Sequence, residues 1–281
     1  MATLDHFLPK AKVLITVKTY PLPSRKYDEL VCTAGLLEGK HWIRIYPVPY
    51  RELTEDQQFK KWDWIELDLE RRRDDDPREE SYQPRRGVNE PITILGSLDV
   101  SPKHLWSFKR QLLLKDVCTS MEPLIVRAKT ERISLAVVKP KSVLDVNIEK
   151  EPEHWDEFKH QGLLDLIPAT DRKRTVKPVR SLPYRFSYVF TTEDGRPPRT
   201  LMVEDWEIGV LYWHCLRPDR TPEEACALVK RKLESLAFDK DIHFIVGTTK
   251  RNHFRSPNPF VIIGLFYPPF AETFGQGELF E

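Results

Sequence analysis

Two short runs, His41–Tyr46 (HWIRIY) and Trp62–Leu69 (WDWIELDL), constrain the fold most, because bulky apolar and polar side chains alternate along both. Successive side chains of a strand point to opposite faces. Trp42, Arg44 and Tyr46 therefore share one face, with Ile43 and Ile45 on the other. In the second run Trp62, Trp64 and Glu66 oppose Ile65, Leu67 and Leu69. Lys12–Thr19 is β-branched, Glu29–Ala34 is apolar, and Pro47 and Pro49 close the strand that carries Trp42. No stretch of the first hundred residues carries a helical period. Short strands between turn residues predict a small antiparallel barrel or sandwich over residues 1–100.

The period changes after residue 100. Ser101-Pro102 has the form of an N-cap with proline at the first helical position, predicting a helix through about Val117. Arg132–Val138 reads as a strand, and 101–183 as a mixed helical connection. In 184–270 a hairpin is predicted around Asp194-Gly195. A helix follows over Asp205–Leu216, and Thr221-Pro222-Glu223-Glu224 is a capping box opening a second helix to about Leu236. Asp241–Val246 and Phe260–Tyr267 then read as two adjacent central strands. Residues 271–281 read as a flexible tail. The order predicts an α+β protein: a β-rich N-terminal barrel or sandwich, a mixed helical middle and a C-terminal α+β unit.

Arg71–Gly87 stands apart, since eleven of its seventeen residues are charged. It reads as an exposed ribbon or loop.

Composition narrows the function classes. The chain of 281 residues carries 44 Lys+Arg against 43 Asp+Glu, a net charge of +1, with 14 Phe, 9 Tyr and 7 Trp. The aromatic content supplies a core, and the balance excludes a generally basic protein. No apolar run approaches the ~20 residues of a membrane-spanning helix. No secretory signal is read at the N-terminus, and Cys32, Cys118, Cys215 and Cys226 lack zinc or disulfide spacing. A cytoplasmic protein without membrane partner, metal or cofactor is the expectation. Walker A, G-x-G-x-x-G, H-E-x-x-H and G-x-S-x-G motifs are absent.

Two local basic clusters survive within the balanced total. Asp171–Arg185 holds Arg172, Lys173, Arg174, Lys177, Arg180 and Arg185 against one acid, and Lys250, Arg251 and Arg255 lie near Phe254. Arg44 and Arg51, with Trp42 and Tyr46, form a third mixed set on the predicted barrel face. Cations beside aromatic rings suit a polyanion, the cations meeting phosphates and the rings stacking on bases. The opposing reading is of solvated loops balanced by acids elsewhere.

Catalysis has one weaker candidate. Glu204, Asp205 and Glu207, with His243, would hold a divalent cation for phosphoryl chemistry if brought together. Against this, Asp205 reads as a helix cap with Glu207 in the favourable first turn, and that reading is preferred. The expectation leans away from an enzyme, with a metal-dependent nuclease or phosphoesterase and a protein–protein scaffold subunit as the alternatives.

At the C-terminus, Gln276-Gly277-Glu278-Leu279-Phe280 resembles the bacterial sliding-clamp-binding peptide, in which Leu-Phe follows a Gln at fixed offset. Gly277 stands where that motif prefers Leu, and Glu278 where Ser or Asp is usual. The resemblance implies clamp contact by Gln276, Leu279 and Phe280; alternatively Leu279 and Phe280 pack on the protein's own surface. Together these features predict a nucleic-acid-associated accessory protein, of DNA or RNA, in bacterial DNA repair, replication or mobile-element defence.

Overall fold

The computed structural model describes residues 4–20, 22–23, 29–38, 41–50, 53–54, 57–72, 76–151 and 182–270. Within them the N-terminal strands are β1 (Phe7–Lys18), β2 (Leu22–Pro23), β3 (Glu29–Leu37), β4 (Trp42–Val48), β5 (Asp63–Arg71), β6 (Ser81–Pro84) and β7 (Thr93–Ser97). Pairing runs β1-β3-β4-β6-β5, and β5 returns to β1, so five strands close a barrel. β4 and β6 run parallel, and the other neighbours in the ring are antiparallel. β7 takes the first half of the remaining β5 edge and β6 the second. This is a Greek-key barrel of the OB type.

Alternation makes the barrel. Ile43, Ile45, Ile65, Leu67 and Leu69 all point inward, joined by Val13, Ile15, Phe59 and Tyr82. The sequence assigned those faces correctly. It did not show that the outer face of β1, β3 and β4 is covered as well. There Val17, Ala34 and Leu36 pack with Leu135, Ile245, Ile263 and Phe266, and Trp42 lies against the same cluster.

The covering layer comes from the second half of the chain. Its strands are β8 (Val117–Cys118), β9 (Leu135–Val138), β10 (Ser142–Lys150), β11 (Tyr184–Thr191), β12 (Arg199–Met202), β13 (His243–Thr248) and β14 (Phe260–Phe266). β14-β13-β9-β8 form one sheet and β10-β11-β12 another. The helices are α1 (Leu105–Leu113), α2 (Met121–Thr130), α3 (Trp206–Cys215) and α4 (Pro222–Phe238). Tyr188 stacks on Phe244 with centroids 5.0 Å apart and donates its hydroxyl to the Leu233 carbonyl, tying both sheets to α4. The predicted hairpin, two helices and adjacent strand pair are present. The capping box is complete: Thr221 Oγ1 accepts from Glu224 N, and Glu224 Oε2 accepts from Thr221 N.

Two expectations are corrected and one element is added. The helix predicted from Ser101 begins only at Leu105, because Ser101 closes a turn with His104 instead. α2 was not anticipated. The described residues of Arg71–Gly87 are not a solvated ribbon throughout: Ser81–Pro84 is barrel strand β6 with Tyr82 fully buried, and Arg78 and Asp76 form a buried ion pair.

Polar groups stitch the two layers. Arg78 Nη1 donates to the Thr248 carbonyl at 2.6 Å, and the Glu80 carboxylate accepts from Ser134 N and Oγ, both at 3.0 Å. A side chain at Gly247 would have to displace the ends of Ile263 and Arg44, since a Cβ there would lie 2.7 Å from Ile263 Cδ1 and 3.2 Å from Arg44 Nη2. Ile245 sits in the shared layer, so Ile245→Ala is expected to cost about 2–5 kcal/mol. Urea unfolding followed by tryptophan fluorescence checks this; a midpoint unchanged from wild type contradicts a shared core.

Candidate ligand-binding cleft

The barrel and the second layer part at one end of the seam. Between them lies a cleft of about 610 Å³, within the range of small-ligand sites. Each wall follows from local structure. β1 ends at Lys18, and the β4–β5 connection supplies Lys60, Lys61 and Trp62. α1 contributes Trp106 and Lys109, three residues apart and so on one helical face. α3 presents Trp206, Glu207, Val210 and His214 at helical spacing, and β14 ends there with Phe266 and Tyr267. Trp62 has a φ of +73°, a costly conformation for a bulky residue. Its N–H donates to the Ile15 carbonyl and its carbonyl accepts from Leu98 N, which hold it there.

Three of the lysines are held in different ways. Lys18, 6 % exposed, donates from Nζ to Tyr50 Oη at 3.0 Å and to the Phe59 carbonyl at 3.1 Å, above the Tyr50 ring. Burial lowers its pKa to about 8; Glu207 opposes that and Lys61 reinforces it. Lys61 bridges Asp205 at 2.8 Å and Glu207 at 3.1 Å. Burial disfavours its ammonium, but the two carboxylates outweigh burial and the net shift is upward. Lys109, 9 % exposed, has its Nζ 4.3 Å from the Trp62 ring centroid and 5.3 Å from that of Trp106. Burial lowers its pKa, with Glu207 opposing.

The acidic set singled out in the sequence sits at the edge of this cleft and is structural. Asp205, 2 % exposed, caps α3 by accepting from Glu207 N at 2.8 Å. Its other oxygen accepts from Lys61 Nζ and, at 3.1 Å, from Leu265 N. Glu207 pairs with Lys61 from the rim. Glu204 bonds through its backbone to Ile262 and Tyr20, and burial raises its carboxyl pKa. His243 does not join the carboxylates: its Nδ1 donates to the Asp241 carbonyl at 2.9 Å, and its ring lies against Phe266. The four do not converge on a cation site. The preferred reading of Asp205 as a cap is the one observed.

The basic sets are dispersed too. Arg44 is 4 % exposed, its guanidinium bonded to Cys32 Sγ and the Ser134 carbonyl inside the seam. Trp42 packs into the shared core, and Tyr46 lies under the Arg72 guanidinium. The barrel face expected to meet nucleic acid instead meets the protein's own second layer. Arg185 is ion-paired with Glu151 and Glu149. Lys250, Arg251 and Arg255 are exposed beside Phe254, but on the β13–β14 loop. The cleft lies at the other end of that strand pair, where His243 faces Phe266, roughly 20 Å away along the strands. Arg51, Arg172, Lys173, Arg174, Lys177, Arg180, Gln276, Leu279 and Phe280 lie outside the described residues.

Sequence reasoning missed Lys18, Lys60, Lys61, Trp62, Trp106, Lys109 and Trp206 as a group. The Lys60-Lys61-Trp62 triplet and the Trp106–Lys109 spacing were the available signals, and both are common on ordinary surfaces.

Fold and site define a two-layer protein: an OB-type barrel whose outer wall is closed by an α+β unit, with a basic, aromatic cleft at their seam. A family model described as Domain of unknown function (DUF8757) matches residues 117–281, and the chain belongs to that family. A second model, Domain of unknown function (DUF8758), matches residues 9–115. No curated protein matches the chain. The junction between the matches falls between α1 and β8, so each contributes one wall of the cleft. Among the described residues no helix is long and apolar enough to cross a membrane.

The buried and rim partners of Lys61 should differ in weight. Asp205→Asn is expected to cost about 1–3 kcal/mol, because Lys61 loses its buried countercharge and keeps only Glu207. Glu207→Gln should cost under about 1 kcal/mol, as an exposed pair does. Urea midpoints of the two variants, measured side by side, check the order.

Proposed function

We propose that this protein is a nucleic-acid-associated accessory factor that holds single-stranded DNA or RNA in the seam cleft. One observation carries the reading: Lys18, Lys60 and Lys109 gather with Trp62, Trp106 and Trp206 around one opening, beside Lys61, whose charge Asp205 and Glu207 already hold. Cations that neutralise phosphates and rings that stack on bases are the two components of sequence-tolerant single-strand binding. Steering is local, which suits a chain with a net charge of only +1. OB barrels commonly bind oligonucleotides on the face of their second and third strands. That face is covered here, so the barrel's topology lends the reading no weight and the cleft bears all of it.

Titration of short single- and double-stranded DNA and RNA against salt tests the proposal. Micromolar or tighter binding to single strands is expected, with a log–log slope near −0.7 for each phosphate neutralised. Trp106→Ala should weaken it by about 1–3 kcal/mol, the worth of one stacked base. Because the Lys18 amine loses its charge as the pH rises through about 8, affinity should decline across that value, and less so in Lys18→Met. No binding at low salt ends the proposal.

A clamp tether, with bacterial DNA repair, replication or mobile-element defence as its setting, rests on the sequence of the tail alone. Pull-down with bacterial sliding clamp should retain the full chain and lose a chain ending before Gln276. Equal retention removes the clamp from the proposal.

A further inference from the structure

Lys109 differs from its neighbours in the cleft. Lys18 donates to a hydroxyl and a carbonyl, and Lys61 to two carboxylates. Lys109, 9 % exposed as a residue, turns its ammonium to the rings of Trp62 and Trp106; among the described residues no carboxylate lies within ion-pair distance, and Glu207 acts on it only from farther off. An ammonium partly withdrawn from water in a cleft gains from an acceptor or a countercharge, and indole faces supply only part of that. The partner that would complete its surroundings is an anion. What surrounds it is flat and aromatic: Trp106 is one helical turn away on α1, half-buried, with Tyr267 against it at 6.4 Å between centroids.

We infer that the cleft seats a phosphorylated nucleoside, its phosphate on Lys109 and its base on the indole wall, either as a free nucleotide or as the end of a single strand. The inference rests on the nucleic-acid reading above and narrows it. A phosphomonoester brings close to two negative charges and three strong acceptor oxygens, where a phosphodiester within a strand brings one charge. Lys60 at the rim adds a second cation. The volume of about 610 Å³ suits a small ligand and not a duplex.

Fluorescence anisotropy on the full chain separates the sources. Short oligothymidylates carrying a 5′-phosphate, a 3′-phosphate or hydroxyls only are compared, with free nucleoside monophosphates and inorganic phosphate as competitors. A terminal phosphate is expected to tighten binding about tenfold, a nucleoside monophosphate to compete, and inorganic phosphate to compete far less. Lys109→Met, which keeps the contact with both indoles, should erase the preference, and Lys109→Arg should retain it. The wild-type comparison decides even if a variant misfolds. Equal binding of all three oligonucleotides without competition from monophosphates overturns the inference and leaves the single-strand reading standing. Monophosphate binding without oligonucleotide binding does the reverse. Competition by inorganic phosphate equal to that of the monophosphate removes the nucleoside, and no binding by any probe ends both.

Discussion

Burial of the outer wall of β1, β3 and β4 against β9, β13 and β14 is the constraint from which the rest of the architecture follows. A closed barrel usually needs one apolar face per strand, and here Val17, Ala34 and Leu36 supply a second. Such a wall left in water would be a large exposed apolar patch. Covering it fixes where the β13–β14 pair lies. That in turn fixes α3, whose N-terminus bonds to β14 through Asp205, and so the far wall of the cleft.

Packing alone would allow the two layers to slide. The buried polar groups forbid it, because a buried donor or acceptor that loses its partner costs more than the contact contributed. Arg44, Arg78 and Glu80 from the barrel each meet a specific backbone or hydroxyl group of the second layer. Tyr20 does the same at the other end: its N–H donates to the Glu204 carbonyl, and its ring fills the space over Gly209, where a Cβ would lie 2.0 Å from the ring. Its hydroxyl accepts from Trp213 Nε1. Register between the layers is thus set by directional bonds, and the apolar surface supplies the cohesion.

How much of this was readable in the sequence depends on the range of the interaction. The alternation in β4 and β5, the capping box of α4 and the Asp205 cap are encoded within a few residues, and each was legible. Alternation tells which side chains share a face but not what lies over it, so Arg44 and Trp42 read as a surface until a strand from residue 243 onward covers them. Charge density misled in Arg71–Gly87, where Asp76 satisfies Arg78 locally and lets both be buried. The cleft was invisible because its parts stand near residues 18, 61, 106 and 206, and only the tertiary fold brings them together.

The seam through the cleft is also the line between two sequence families, one wall from each. Any molecule that touches both walls acts as a cross-link between the halves, and thermodynamic linkage makes that relation reciprocal. Occupancy tightens the joint, and whatever loosens the joint ejects the occupant. On the proposed function the same residues would serve as receptor and as clasp, and the affinity of the cleft would be a property of the partnership and of neither half alone.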